Sequence, residues 1–182
     1  MGMNSLSMEA NTKNVLVVFC GPSGVGKTTV ARLLSRELAK SLPTIHVQTD
    51  IIRRMFVKPS YDKSESRFVY SVLYDIAKKL LPLNYNVILD GTFLKNSYRE
   101  RAIMIARYYR RHYVIVALKA DLITLMDRNR GRMPEEYVPE KTVVGFWVKF
   151  QYPLNGIIID TDECSPRECV KIILQKLSSM SK

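Results

Sequence analysis

Gly21-Pro22-Ser23-Gly24-Val25-Gly26-Lys27-Thr28 matches the spacing G-x-x-x-x-G-K-[ST] at every fixed position, and Thr29 follows it directly. Glycines at these steps let successive backbone N–H groups turn inward as an anion nest. A helix opening at Lys27 adds the positive end of its dipole. The Lys27 ammonium suits the outer phosphates of a nucleoside triphosphate, and the Thr28 hydroxyl suits a magnesium ion. The chemistry expected of Gly21 to Thr29 is therefore binding of ATP with Mg²⁺.

Two carboxylates are placed to act on such a ligand. Asp90 ends Asn86-Val87-Ile88-Leu89-Asp90, an apolar run closed by an acid, which is the form of a second metal-binding element. It would lie near Thr28 if the first and third strands are neighbours; the alternative is an aspartate capping the next turn. Asp50 and Arg53 stand three apart after the second strand, where they share one side of a helical turn. A carboxylate there can take the proton of an attacking hydroxyl while the arginine holds the acceptor. The chain has eight Asp and 14 Arg, and a second Asp-x-x-Arg occurs at Asp127–Arg130, so spacing alone is uninformative. Position makes the first one informative, because ligands of open sheets bind at the carboxyl edge of the strands; the alternative is an ordinary helix-start aspartate with a surface arginine.

The elements that must carry these residues alternate between strand and helix, the signature of a parallel sheet covered on both faces. Asn14–Cys20, Thr44–Thr49, Asn86–Asp90, Tyr113–Lys119 and Gly156–Asp160 read as buried strands. Helical periodicity marks Lys27–Ser41, a turn at Asp50–Phe56, Glu65–Leu81 with Phe68, Val69, Val72, Leu73, Ile76 and Leu80 on its apolar face, and Ser97–Arg111 with Ala102, Ile105, Ala106 and Tyr109 inside. Further helices are expected from Asp121 to near Arg130, over Glu140–Phe150 and over Pro166–Ser178, with Pro134 and Pro139 bracketing an irregular segment. The expected fold is a three-layer α/β/α P-loop NTPase fold on a five-stranded parallel sheet. Residues 1–13 form a disordered tail and 14–182 a single domain, with an arginine-rich lid at about 128–139.

Taken together these motifs carry a resemblance. The P-loop, Asp-x-x-Arg after the second strand, Asp90 followed by Gly91-Thr92, and Arg128-Asn129-x-x-Arg132 before Val138-Pro139 resemble phage-type polynucleotide 5′-hydroxyl kinases. They also resemble the small predicted P-loop kinases that include adenylylsulfate and gluconate kinases. The likeness spans roughly Val15 to Asp162. It implies that Asp50 is the general base, that Arg53 (or Arg54) meets the acceptor phosphate, and that Thr28 and Asp90 hold the metal. Arg128 and Arg132 would belong to a lid, Arg132 being the better match for contact with the transferring phosphoryl group and Gly131 supplying hinge freedom. Gly91, Thr92 and Phe93, with Arg99 and Arg101 beyond, would line the acceptor side, with Phe93 either stacked on an adenine or simply packed. The Ile-Ser-Pro-aromatic-Arg segment typical of adenylylsulfate kinases is missing, which argues against that acceptor.

Composition bounds the rest. The chain has 182 residues, 47% hydrophobic and 25% charged, with a net charge of +11. That excess favours an anionic acceptor such as a nucleic-acid end or a nucleotide-like metabolite. It concentrates between Lys95 and Arg132, which hold ten basic and three acidic residues. No guanine-reading Asn-Lys-x-Asp segment occurs, which argues against a GTPase. Cys20, Cys164 and Cys169 with two histidines form neither a disulfide framework nor a zinc site, and His46 and His112 read as structural. Trp147, Phe146 and Phe150 read as core, and Asp160–Asp162 as a segment approaching the nucleotide base. No run approaches a membrane span, and the first residues lack a signal-peptide core, so a cytoplasmic location is expected. Three functions stay open: a kinase for a nucleic-acid or nucleotide 5′-hydroxyl, a kinase for adenylylsulfate or another small metabolite, and a regulatory NTPase with no acceptor.

Overall fold

The computed structural model describes residues 14–60, 62–133 and 137–180. The expected tail 1–13 and Pro134 lie outside the described residues. Strands β1 (Val15–Cys20), β2 (Thr44–Gln48), β3 (Asn86–Asp90), β4 (His112–Lys119) and β5 (Ile157–Asp160) form one parallel sheet in the order β2-β3-β1-β4-β5. Seven helices accompany them among the described residues: α1 (Lys27–Leu38), α2 (Thr49–Arg53), α3 (Lys63–Leu80), α4 (Asn96–Tyr108), α5 (Leu122–Arg130), α6 (Glu140–Lys149) and α7 (Pro166–Met180). Every strand and helix expected from the sequence is present, with ends shifted by a few residues.

All six residues of β1 are buried, and their side chains alternate between two cores. Leu16, Val18 and Cys20 face α3 and α4, packing with Leu73, Tyr74, Ala102 and Ala106. Val15, Val17 and Phe19 face α1, α5 and α7, packing with Leu34, Leu125 and Ile173. Each buried side chain of this size contributes roughly 1.5–3 kcal/mol on removal from water. That double-sided burial fixes β1 at the centre of the sheet and sends both its P-loop and the end of β3 to the same edge.

Three packing expectations are corrected. Phe68 is 54% exposed, because Tyr70, Tyr74 and Ala77 turn the buried stripe of α3 away from it. Tyr109 is half-buried, since the last turn of α4 ends at Tyr108. Trp147 is 40% exposed, its indole N–H donating to the Ala120 carbonyl at 3.2 Å, while Val143 is the buried residue of α6 and Phe150 enters the core beyond it.

Candidate active site

The phosphate loop leaves β1 after Cys20 and enters α1 at Lys27. Gly21 has φ +147, and a Cβ there would lie 2.5 Å from the Leu118 carbonyl oxygen of the neighbouring strand. Only glycine lets the chain turn this close to β4. Val25, fully buried, anchors the loop from below. The Lys27 ammonium bridges the loop, donating to the carbonyls of Gly21 at 3.0 Å and Pro22 at 2.8 Å. Burial pushes the Lys27 pKa down and the Arg132 charge adds to this, while the Asp90 and Asp50 carboxylates and Cys20 oppose it. Thr29 lies exposed on the first turn of α1.

Asp90 comes to this loop through sheet register. It pairs with Phe19 on one side and Gln48 on the other, so the β1–β3 adjacency brings its carboxylate to α1. The Thr28 hydroxyl donates to Asp90 Oδ2 at 2.7 Å. His46 Nε2 lies 3.1 Å from the same oxygen. His46, expected to be structural, braces the Asp90 carboxylate. His46 and Gln48 share one face of β2, and Gln48 registers with Asp90, so the contact follows from the pairing of β2 with β3. A hydroxyl beside a carboxylate is a hard-oxygen donor set of the kind Mg²⁺ takes, together with phosphate oxygens.

Asp50 is exposed in the first turn of the short helix α2, immediately after the buried Thr49. The end of β3 passes so close that a Cβ on Gly91 would lie 2.8 Å from Thr49 Cγ2. Asp50 thus stands beside the Asp90 segment, on the same edge as Lys27. Arg53 is half-buried. Its guanidinium pairs with the buried carboxylate of Glu65 and approaches Ser66 Oγ at 3.4 Å. Glu65 also accepts from the backbone N–H and hydroxyl of Ser60, and its own N–H donates to the Asp62 carboxylate that caps α3. The Asp62-x-x-Glu65 spacing is a capping box in the sequence, so Glu65 was findable as a cap, though not as the anchor of α2.

Phe93 and Arg99 do not line an open acceptor surface. Phe93 is fully buried at φ +42, its N–H donating to the Tyr70 hydroxyl at 2.9 Å. Arg99, 2% exposed, donates to the carbonyls of Phe93 and Gln151 and to Asn96 Oδ1, and stacks on the Phe150 ring. The physical reason is the unusual backbone at Phe93: its redirected carbonyl needs a buried donor, and Arg99 provides it. Thr92, half-buried, offers its carbonyl to the Gly21 N–H at 3.2 Å, tying the Asp90 segment to the phosphate loop.

At the lid, Arg132 donates to Ser23 Oγ at 3.1 Å, directly over the phosphate loop. Arg128 donates to the Thr161 hydroxyl and carbonyl, both at 2.9 Å, joining α5 to the loop after β5. Asn129, unmarked in the sequence analysis although it lies inside the Arg-Asn motif, is buried and exchanges hydrogen bonds with Val138, donating at 2.7 Å and accepting at 3.1 Å. That reciprocal pair closes the base of the lid. Gly131 has φ −78, which any residue adopts, so no glycine hinge is required there. Burial raises the Cys20 thiol to about 11, leaving it an inert thiol beneath the loop. Among the described residues no group of three His, Cys, Asp or Glu could hold a metal, and no helix is long and apolar enough to cross a membrane.

The chain is 31% identical over 157 residues to the L-seryl-tRNA(Sec) kinase of Methanococcus maripaludis, a match covering 82% of this chain. It spans 60% of the length of that curated relative. Its fold matches the Mycobacterium tuberculosis APS kinase solved with AMPPNP and APS, with a TM-score of 0.74 at 18% identity over 91% of this chain and 98% of that one. A gluconokinase from Sinorhizobium meliloti matches with a TM-score of 0.69 at 20% identity over 93% and 94% of the two chains. A family model described as an AAA domain matches residues 16–153, from the first strand through the lid and past α6. The chain belongs to that AAA-domain family of P-loop proteins.

Proposed function

We propose that this chain is an ATP-dependent kinase that transfers the γ-phosphoryl group to a hydroxyl carried by a nucleic acid. The observation that carries the reading is the Asp90 carboxylate hydrogen-bonded to Thr28 of the phosphate loop, with Asp50 exposed at the same sheet edge and Arg132 reaching from the lid to Ser23 of that loop. One acid is braced by Thr28 and His46, as a metal-side residue is, and the other is exposed, as a base facing a substrate must be. Thr28 and Asp90 would hold Mg²⁺, which neutralises charge on the outer phosphates.

In this reading the loop amides and Lys27 grip the triphosphate. Asp50 accepts the proton of the acceptor hydroxyl as its oxygen bonds to the γ-phosphorus and the bond to the bridging oxygen breaks, releasing ADP. Arg132 stabilises the charge that builds on the transferring group, and the Asn129–Val138 pair holds the lid that carries it. Glu65 and the α3 cap anchor Arg53, and with it the short helix that carries Asp50. The net charge of +11 and the similarity to a kinase named for a seryl-tRNA favour a nucleic-acid-borne acceptor. Burial of Phe93 removes the ring available for stacking an adenine, which weighs against adenylylsulfate.

A [γ-³²P]ATP assay against seryl-tRNA, 5′-hydroxyl RNA and DNA, nucleosides, adenylylsulfate and gluconate tests this. Label on a nucleic-acid species, lost in Asp50→Asn, is the expected result. Label on a small metabolite alone overturns the acceptor, and free phosphate alone overturns the kinase in favour of a nucleotide-dependent switch.

A further inference from the structure

Resting on the nucleic-acid reading above, we infer that the exposed face of α4 and its C-terminal turn is the track along which the phosphodiester backbone of the acceptor docks. Helix α4 begins at Asn96, just past the Asp90–Phe93 segment at the active-site edge, and ends where β4 starts at His112, on the opposite edge. Its 13 residues make a track of about 20 Å leading away from the site. The exposed side chains along it include Lys95, Arg101, Arg107 and Arg110, interleaved with Met104 and Tyr108, the latter 80% exposed. Glu100 is the one acidic residue between Lys95 and Arg111.

Two observations separate this face from an ordinary solvated helix. Arg53, Arg99, Arg128 and Arg130 are engaged by carboxylates or carbonyls, and Arg132 by the Ser23 hydroxyl. Arg101 and Arg107 instead lie over tyrosine rings, Tyr74 at 5.3 Å and Tyr113 at 5.6 Å, and neither forms an ion pair among the described residues. Arg107 also donates to the Tyr113 hydroxyl at 3.0 Å. The rings hold each guanidinium in place while leaving its charge uncompensated, which suits phosphate. The second observation is Arg110. It sits at φ +54 in the left-handed turn that ends α4, with Arg110 and Arg111 N–H groups donating to Arg107 and Ala106 carbonyls. Glycine favours that position and arginine strains it. The chain keeps an exposed cation at the end of the track where the fold alone prefers glycine.

The test is fluorescence anisotropy of 3′-fluorescein 12-mers with 5′-hydroxyls, one RNA and one DNA of the same sequence, titrated between 50 and 200 mM KCl. Each lost single-strand phosphate contact lowers the slope of log K against log salt by about 0.7. R101Q/R107Q is expected to lower it by about 1.4, and R110G by about 0.7 with a melting temperature equal to or above wild type. A purely structural role for Arg110 predicts the stability gain without the slope change. The control K171Q/K176Q, on α7 across the sheet, removes the same charge as the first variant and should leave the slope near wild type. Unchanged slopes in both α4 variants overturn the proposal, and so does an equal loss in the α7 control. A wild-type chain that binds neither 12-mer overturns the nucleic-acid reading with it. Slope loss with no label transfer in the kinase assay supports the docking face while the kinase reading fails. The RNA and DNA arms tell which backbone the track holds.

Discussion

The loop Gly21–Gly26 and the segment Asp90–Phe93 leave adjacent strands at the same edge of the sheet, yet they are built in opposite ways. The first is shaped by its own backbone, bent by glycine, bridged by Lys27 and anchored by Val25. Its parts lie within eight consecutive residues. The second presents Thr92 by means of distant side chains: Tyr70 on the Phe93 N–H, Arg99 on the Phe93 carbonyl, and Gln151 behind Arg99. The same holds for α2, whose five residues are anchored by Glu65 of α3. The phosphate loop is assembled from near neighbours, whereas α2 and the Asp90–Phe93 segment depend on contacts spread from residue 53 to residue 151.

That contrast can be broken at several points. Asp50→Asn removes the base of the proposed mechanism and none of the loop groups proposed to grip ATP, so turnover should fall by about 10²–10⁴ with ATP affinity unchanged by titration calorimetry. An equal loss of ATP affinity would merge the two sides. Glu65→Gln leaves the half-buried Arg53 charge without its carboxylate and should cost about 3–5 kcal/mol in urea unfolding. It should also depress acceptor-dependent turnover more than ATP affinity. Thr28→Val is the mirror case: the fold should lose only about 1 kcal/mol for the hydrogen bond to Asp90, while Mg·ATP affinity drops. Arg99→Leu strands buried carbonyls and should cost about 1–3 kcal/mol, with the acceptor KM unmoved if Arg99 is a brace. An acceptor KM that rises in a well-folded Arg99→Leu would return this residue to the binding surface.

The smallest effect is on pH. Hydrogen bonds from the Glu65 N–H and the Ser64 and Ser60 hydroxyls hold the Asp62 carboxyl down at about 2. A carboxyl lowered on folding contributes stability above its unfolded value of about 3.9 and loses it as pH falls towards 2. Melting temperature should therefore decline across that window, and Asp62→Ala should flatten the decline by removing the cap of α3.

Much of the phosphate side was readable because its information is contiguous. The glycine spacing, Lys27, Thr28 and an apolar strand ahead of them imply the loop, and alternating strand and helix patterns imply a parallel sheet. Asp90 was identifiable as a strand-ending acid, and its approach to Thr28 followed once β1 and β3 proved adjacent. Strand adjacency is a property of packing, so the place of His46 on Asp90 could not be read from its neighbours in sequence. Phe93 and Arg99 carried the right residue types for an open acceptor wall, and tertiary burial made them a brace. Arg53 likewise satisfied its spacing with Asp50 and then found Glu65 across the turn. What the residue order determined by itself was the set of segments whose conformation depends on near neighbours. Which of the candidate side chains are buried as braces was decided only when long-range packing chose a partner for Arg53, Phe93 and Arg99, because an unpaired charge or carbonyl in the interior costs more than any local preference supplies.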